Sequence, residues 1–128
     1  MDLYELNGGF MQLKTFVLAA PALGKLSAGD LELRLAYKLK KLVSMLQKDV
    51  DFFIEQRQKI FEKYGTAQKD GTFAFDNDAE KKASLELEAL LDMEVEAEYQ
   101  TLEIPVTEDL RLSVHDIDAL TPFICFTE

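Results

Sequence analysis

The chain contains one histidine and one cysteine, residue types that often carry nucleophilic or acid–base catalysis. His115 and Cys125 lie ten residues apart near the end of the sequence. A Cys–His pair needs a third group that orients the imidazole and a buried cleft, and the surrounding residues indicate neither. We interpret His115 as part of the first turn of a helix and Cys125, in the apolar run PFICF, as a small buried hydrophobe. The sequence therefore predicts no catalytic residue and no enzyme.

Three glutamates that alternate with apolar residues raise the question of a metal site. On a strand, Glu94, Glu96 and Glu98 would share one face at a spacing of about 6.6–7 Å, too far for neighbouring carboxylates to chelate one cation without further ligands. No histidine accompanies them, and the sequence has no calcium-binding or phosphate-binding loop. We predict a solvated strand face, no metal site and no cofactor.

Basic residues cluster around the start of the segment AYKLKKLVSMLQKDVDFFIEQRQKIFEKYG, which begins at Ala36. With Ala36 at position a of a heptad, Arg34, Lys41 and Lys48 fall at position f, farthest from the apolar seam, and Lys38 lies beside them at c. Such a stripe is typical of a helix face in contact with water. The alternative is that the stripe docks a partner or binds an anion.

The apolar residues of this segment recur every three and four positions through four heptads, which predicts one long helix from about Asp30 to Tyr64, ended by Gly65. The seam consists of Ala36, Leu39, Val43, Leu46, Val50, Phe53, Arg57, Ile60 and Tyr64, and Leu42, Ile54 and Phe61 widen it. Arg57 is the polar seam residue. If it is buried, it needs a carboxylate partner, and its expected role is to set register or oligomeric state.

The length of this helix bears on the shape of the molecule. A helix of that span measures about 52 Å, whereas a compact chain of this size has a diameter near 36 Å. We therefore expect either a break in the helix or an elongated molecule, and a second copy of the chain is a candidate partner.

Three shorter helices are predicted from periodicity and capping signals. They run from about Gly9 to Leu23, from about Ala79 to Asp92 and near Val114–Leu120. The expected N-caps are Asn7 for the first, Asn77 or Asp78 for the second, and Thr107 and Ser113 for a turn and helix in the tail. Pro21 either kinks the first helix or ends it one turn early, and Gly24 suits the position that closes it.

Strand signals are few. Asp70-Gly71 predicts a hairpin turn before the alternating residues Phe73 and Phe75, and MEVEAEYQTLEI predicts a half-buried strand that Pro105 stops and that could pair with TFAF. The expected fold is mainly α (α+β): a long central helix in a helical bundle or hairpin with a small β element near residues 72–75 and 93–104. We expect residues 1–128 to form a single domain.

Composition restricts the partners. The net charge is −10, and it is unevenly spread: residues 1–64 carry ten basic and eight acidic side chains, whereas residues 65–128 carry four and sixteen. This acidity argues against non-specific nucleic-acid binding and against anionic membranes. The single cysteine, the lack of a membrane-length apolar run and the lack of a secretory start place the protein in a cytoplasm.

Several segments together resemble a family of small phage and prophage proteins, mostly from tailed phages of Firmicutes and related gut bacteria, that has no assigned activity. The segments are VLAAPALGKLSAGDLELRLAYKLKKL, EQRQKIFEKYG, LLDMEVEAEY and RLSVHDIDALTPFI. The start NGGF and the stretch SAGDLELRL depart from the family pattern. The resemblance implies a phage-encoded accessory protein in the cytoplasm of a bacterial host, with virion association left open, and it assigns no residue a catalytic role.

Two functions follow as hypotheses. The first is protein–protein interaction with a phage or host partner, or with a second copy of the chain as a homo-dimer, in assembly or regulation. The alternative is a counter-defence protein that sequesters a nucleotide signal or inhibits a host defence enzyme. It rests on the basic residues Arg34, Lys38, Lys41 and Lys48.

Overall fold

A computed structural model describes residues 7–106 and 110–128. In these ranges the helices are α1 (Leu13–Ser27), α2 (Leu33–Tyr64), α3 (Asn77–Asp92) and α4 (Val114–Leu120). The strands are β1 (Asn7–Gln12), β2 (Thr66–Ala67), β3 (Phe73–Ala74), β4 (Glu94–Tyr99), β5 (Leu102–Pro105) and β6 (Ile124–Thr127). The predicted fold class, mainly α with a long central helix and a small β component, is confirmed.

Helix α2 is continuous, as its apolar periodicity predicts, and Gly65 follows its last residue. Its 32 residues span about 48 Å at about 1.5 Å per residue. The buried residues follow the helical period and are Leu35, Leu39, Leu42, Leu46, Val50, Phe53 and Ile60. Ile54 does not belong to this stripe, because 47% of its surface is exposed. Although α2 is long, no helix in the described part of the chain has a stretch apolar enough to cross a membrane.

The start of the first helix is predicted wrongly. Asn7 is not an N-cap but the first residue of β1, and α1 begins only at Leu13. The reason is pairing with a distant strand: β1 runs antiparallel to β4, from Asn7 opposite Tyr99 to Gln12 opposite Glu94. The hydrogen bonds between β1 and β4 pair backbone N–H and C=O groups of this segment, which at the start of a helix would need an N-cap.

The end of α1 also lies beyond the predicted position. The helix passes through both Pro21 and Gly24 and ends at Ser27. Pro21 is exposed, so its ring faces away from the packed side. The packed side carries Phe16, Ala19, Ala22, Leu23 and Leu26, each at most 2% exposed. Burial of this face outweighs the backbone hydrogen bond that the proline cannot donate.

The predicted strand over residues 93–104 is two strands with different partners. β4 shows the expected alternation, with all three glutamates exposed, but it pairs with β1 and not with the TFAF segment. β5 lies parallel to β6, and α4 forms the crossover that a parallel pair requires. β6 was not predicted. In it Ile124 is buried and Cys125 is exposed, so the expectation of a buried cysteine is wrong.

The hairpin and the two later helices follow their local signals. β2 pairs with β3 across the Asp70-Gly71 turn, where Gly71 has φ +88°, a value that favours glycine. The N-cap of α3 is Asp76, one residue before the predicted positions. α4 occupies its predicted residues behind a capping box of Ser113 and Asp116. The Thr107 cap lies outside the described residues.

The main core joins α1, the first part of α2, β4, β5, α4 and β6. We call these elements, with β1, the core half of the molecule. The remainder, which we call the distal half, consists of residues 51–92: the last part of α2, Gly65, the β2–β3 hairpin and α3. It packs around Phe61, whose ring centroid lies 6.1 Å from that of Phe73 and 5.6 Å from that of Phe75.

Candidate functional site

A groove of about 340 Å³ lies between the first part of α2 and the segment that joins β4 to β5. We call it the basic groove. Its lining from α2 is Arg34, Tyr37, Lys38, Lys41, Leu42 and Met45, and its lining from the strands is Glu98, Tyr99, Gln100 and Leu102. Its position therefore depends on the packing of a sheet edge against the long helix.

The α2 side of the basic groove is one continuous helix face. Its six residues are spaced by three, one, three, one and three positions, which is the spacing of side chains stacked on one face of an α-helix. The basic and apolar residues interleave on this face. Arg34, Lys38 and Lys41 thus share this face with Leu42 and Met45 and do not form a separate polar surface.

The three cations of the basic groove, Arg34, Lys38 and Lys41, form no ion pair with any carboxylate in residues 7–106 and 110–128. The Lys41 ammonium lies 5.0 Å from the centroid of the Tyr37 ring, a cation–π contact. By contrast, Lys25 is held 2.7 Å from a carboxylate oxygen of Asp116.

The predicted contact of the basic stripe with water agrees with the exposure of Arg34, Lys41 and Lys48, whereas Lys38 is half-buried. Arg34, Lys38 and Lys41 line the groove, and their binding of an anion or a partner stays a prediction. Lys48 is exposed and does not line it. Of the α2 residues that line the groove, Met45 is the last in sequence.

Tyr99 forms a fixed wall of the basic groove. Its hydroxyl donates a hydrogen bond of 2.9 Å to the Pro122 carbonyl, and its ring packs edge-on against Phe123 with centroids 5.0 Å apart. Burial raises the pKa of the Tyr99 phenol, so it remains a neutral hydrogen-bond donor. The wall is therefore held at both its ring and its hydroxyl.

The apolar part of the groove is provided by Leu42 and Leu102, each 3% exposed, and by half-buried Met45. Methionine is unbranched and polarisable, so this surface can adapt to a planar or irregular ligand. The groove thus combines a positive rim with an apolar base.

Glu98 supplies the carboxylate of the lining, and its neighbours Glu94 and Glu96 on β4 do not reach the groove. Across the described ranges, no group of three or more His, Cys, Asp or Glu side chains is placed to hold a metal ion. His115 and Cys125 are both exposed, and neither lines the groove. The polar chemistry of the site is therefore that of three cations, one carboxylate, one amide and two phenols.

Arg57 lies away from this site and differs from its expected environment. The seam pattern places it toward the core, but it is exposed, and it forms no ion pair with the residues that the structure describes. Its guanidinium lies 5.5 Å from the centroid of the Phe53 ring one turn earlier. Because Arg57 is exposed, it does not need the carboxylate partner that a buried arginine would require. The role of Arg57 in setting register or oligomeric state stays a prediction.

Sequence analysis missed two groups of lining residues for different reasons. Tyr37 and Met45 share the helical spacing of Arg34 and Lys41, so a projection of α2 onto one face would have found them. Tyr99 and Gln100 are more than fifty residues away in sequence, and only the tertiary fold brings them to the groove.

Comparison of the chain with protein-family models, with curated proteins and with solved structures found no match.

Proposed function

We propose that the chain is a binding protein without catalytic activity, and that it binds an anionic ligand in the basic groove. The observation that carries the proposal is a set of three cations around a cavity of about 340 Å³, none of which forms an ion pair within the part of the chain that the structure describes. The proposal includes the phage origin and the bacterial cytoplasm that the family resemblance implies.

The composition of the chain gives this observation its weight. Acidic residues outnumber basic ones by 24 to 14, so carboxylates are plentiful. Three neighbouring cations on one helix face repel one another, and a nearby carboxylate would relieve that repulsion. Glu98 lines the same groove without forming an ion pair with any of them. A bound anion would supply the missing negative charge.

Inorganic pyrophosphate is the simplest probe of this function. We expect it to bind wild-type protein with a Kd on the order of 1 mM, measured by calorimetry and by amide shifts in nitrogen-15 spectra. The double variant Lys38→Glu, Lys41→Glu should lose this binding. The matched control Lys40→Glu, Lys48→Glu changes the same charge on the same helix outside the basic groove and should retain it.

Two results would contradict the proposal. One is the absence of pyrophosphate binding by wild-type protein at low ionic strength. The other is an equal loss of binding in both double variants, because this would show only a response to net charge. Thermal unfolding of each variant verifies that it folds.

A second candidate, the protein–protein interaction predicted from the sequence, is favoured by apolar side chains exposed in the distal half. Leu85 on α3 is 67% exposed, and Ile54 and Phe52 on α2 are 47% and 39% exposed. For the homo-dimer, light scattering should give a mass above 14.5 kDa that falls to the monomer value in Leu85→Glu. A wild-type mass of 14.5 kDa at every dilution would contradict the dimer.

A further inference from the structure

The basic groove holds its cations in a spacing suited to a compact anion. Lys38 and Lys41 are three residues apart on α2, so their Cβ atoms are neighbours at about 5–6 Å and both ammonium groups can reach one phosphate group. Arg34 lies one turn before Lys38 and offers a planar guanidinium, which binds phosphate oxygens in pairs. The set suits a ligand with two adjacent anionic groups.

An aromatic surface lies next to these cations. Tyr37 is 58% exposed on the rim of the groove, with the Lys41 ammonium 5.0 Å from its ring centroid. Tyr99 faces the groove from the strand side, and its position is fixed by the hydrogen bond to Pro122. A simple phosphate has no planar group that could stack on these rings, whereas a heterocyclic base can do so.

The remaining lining fits the other parts of such a ligand. Leu42, Met45 and Leu102 form an apolar surface against which a planar base can pack. The Glu98 carboxylate accepts hydrogen bonds and the Gln100 amide both donates and accepts them, as sugar hydroxyls and base edges require.

The size and charge of the groove limit the ligand to a small molecule. A volume of about 340 Å³ is near the lower end of the range of about 300–1,000 Å³ for small-molecule pockets. The lining charge is that of three cations and one carboxylate, within a chain of net charge −10. A nucleic-acid strand, charged at every phosphate, would be repelled by the rest of the protein at long range.

We infer that the basic groove is a nucleotide site that takes a nucleoside diphosphate or a molecule of similar size and charge, with its phosphates on Arg34, Lys38 and Lys41 and its base against Tyr37 and the apolar lining. This inference rests on the proposed function, since it names the class of anion. It adds that the base contributes to binding.

Titration calorimetry with ADP, GDP, CDP and UDP, each compared with pyrophosphate and with adenosine, tests the inference. We expect at least one of the four nucleotides to bind ten times more tightly than pyrophosphate, and adenosine alone to bind weakly. Replacement Tyr37→Ala should weaken binding of that nucleotide fivefold or more, about the loss expected for one stacked base, and should weaken pyrophosphate binding by a smaller factor. Tyr37→Phe keeps the ring and should restore nucleotide binding.

The possible results distinguish a failure of the nucleotide assignment from a failure of the proposed anion binding. Nucleotides that bind no more tightly than pyrophosphate would overturn the nucleotide assignment and leave an anion site. If an acidic heptapeptide bound more tightly than every nucleotide, the nucleotide assignment would also be overturned, and the groove would be assigned to a peptide ligand. Failure of pyrophosphate to bind would overturn the proposed function and, with it, the inference that rests on it. Because Tyr37 is largely exposed, loss of folding in Tyr37→Ala is not expected, and thermal unfolding verifies this.

Discussion

The core half and the distal half share one helix but are packed in different ways. In the core half, α2 is covered by α1 and by the strand segments, and large side chains such as Phe16 and Phe123 have no exposed surface. In the distal half, α2 is covered by α3 and a short hairpin. Within α3, all of whose residues are described, only Ala83 is buried. One end of the molecule therefore has a closed core, whereas the other has a single covering layer.

This difference separates a rigid surface from an adaptable one. The basic groove lies on the core half, where Tyr99 and Leu102 are held by buried neighbours, so we expect a preformed site. The distal half has half-buried aromatic residues, and few buried apolar contacts are typical of regions that open locally. We expect it to be the first part of the chain to lose structure.

The largest expected effect comes from replacing one phenylalanine in each half by alanine. Phe16→Ala in the core half should cost about 3–5 kcal/mol of unfolding free energy, because its ring is fully buried and leaves a cavity. Phe61→Ala in the distal half should cost about 1–2 kcal/mol, since the ring is only half-buried and loses its contacts with Phe73 and Phe75. Urea unfolding measures both values. Equal costs would mean that the distal half is as tightly packed as the core half.

A second matched pair replaces one glycine in each half by alanine. Gly65 directly follows the last residue of α2, and a Cβ added there would lie 2.8 Å from the Phe61 carbonyl oxygen and 3.0 Å from the Phe73 Cβ. Because these atoms leave too little space, Gly65→Ala should destabilise the protein by about 1–3 kcal/mol. A Cβ at Gly24, inside α1, meets no atom within 4 Å, so Gly24→Ala should stabilise it by about 0.5–1 kcal/mol. Thermal unfolding should shift in opposite directions. A destabilised Gly24→Ala would show that α1 needs flexibility at this position.

The sequence distance between interacting residues explains which parts of the fold can be predicted from the sequence. Helix α2, the Asp70-Gly71 turn and the Ser113 capping box depend on residues within a few positions of one another, and each was predicted at or near its place. Strands β1 and β6 exist because they pair with β4 and β5, which are far away in the sequence. The run NGGF has little strand propensity of its own, so local reasoning assigned it to a helix start.

The candidate site shows the same limit. The cations Arg34, Lys38 and Lys41 could be selected from their types and spacing on α2. The groove around these cations could not be predicted, because its opposite wall is formed by Tyr99 and Gln100, which are distant in the sequence. The heptad assignment also placed Arg57 in the seam, whereas Arg57 is exposed although its seam neighbours Phe53 and Ile60 are buried. A seam position predicts burial only where a second element covers it.

The smallest expected effect is a difference in pH dependence between two ion pairs. In the core half, the Lys25 ammonium and the Ser113 backbone N–H lower the pKa of Asp116 from 3.8 to about 2. In the distal half, Lys63 and Tyr64 lower the pKa of Glu86, but the Glu86 side chain is 40% exposed, against 10% for that of Asp116. A carboxyl whose pKa is lower in the folded state contributes stability above its unfolded pKa, and this contribution is lost as pH falls through the folded value. We therefore expect Asp116→Asn to flatten the dependence of stability on pH between about 4 and 2.

Urea unfolding at pH 7, 4 and 2.5 measures this effect, with Asp118→Asn on the exposed face of α4 as the matched control. Glu86→Gln should change the pH dependence less than Asp116→Asn, because solvent screens the exposed pair. Added salt should reduce the Glu86 effect further and affect the Asp116 effect less, since the Asp116 side chain is only 10% exposed. A larger change in Glu86→Gln would reverse the comparison, because it would place the more strongly coupled ion pair in the half that has the weaker core.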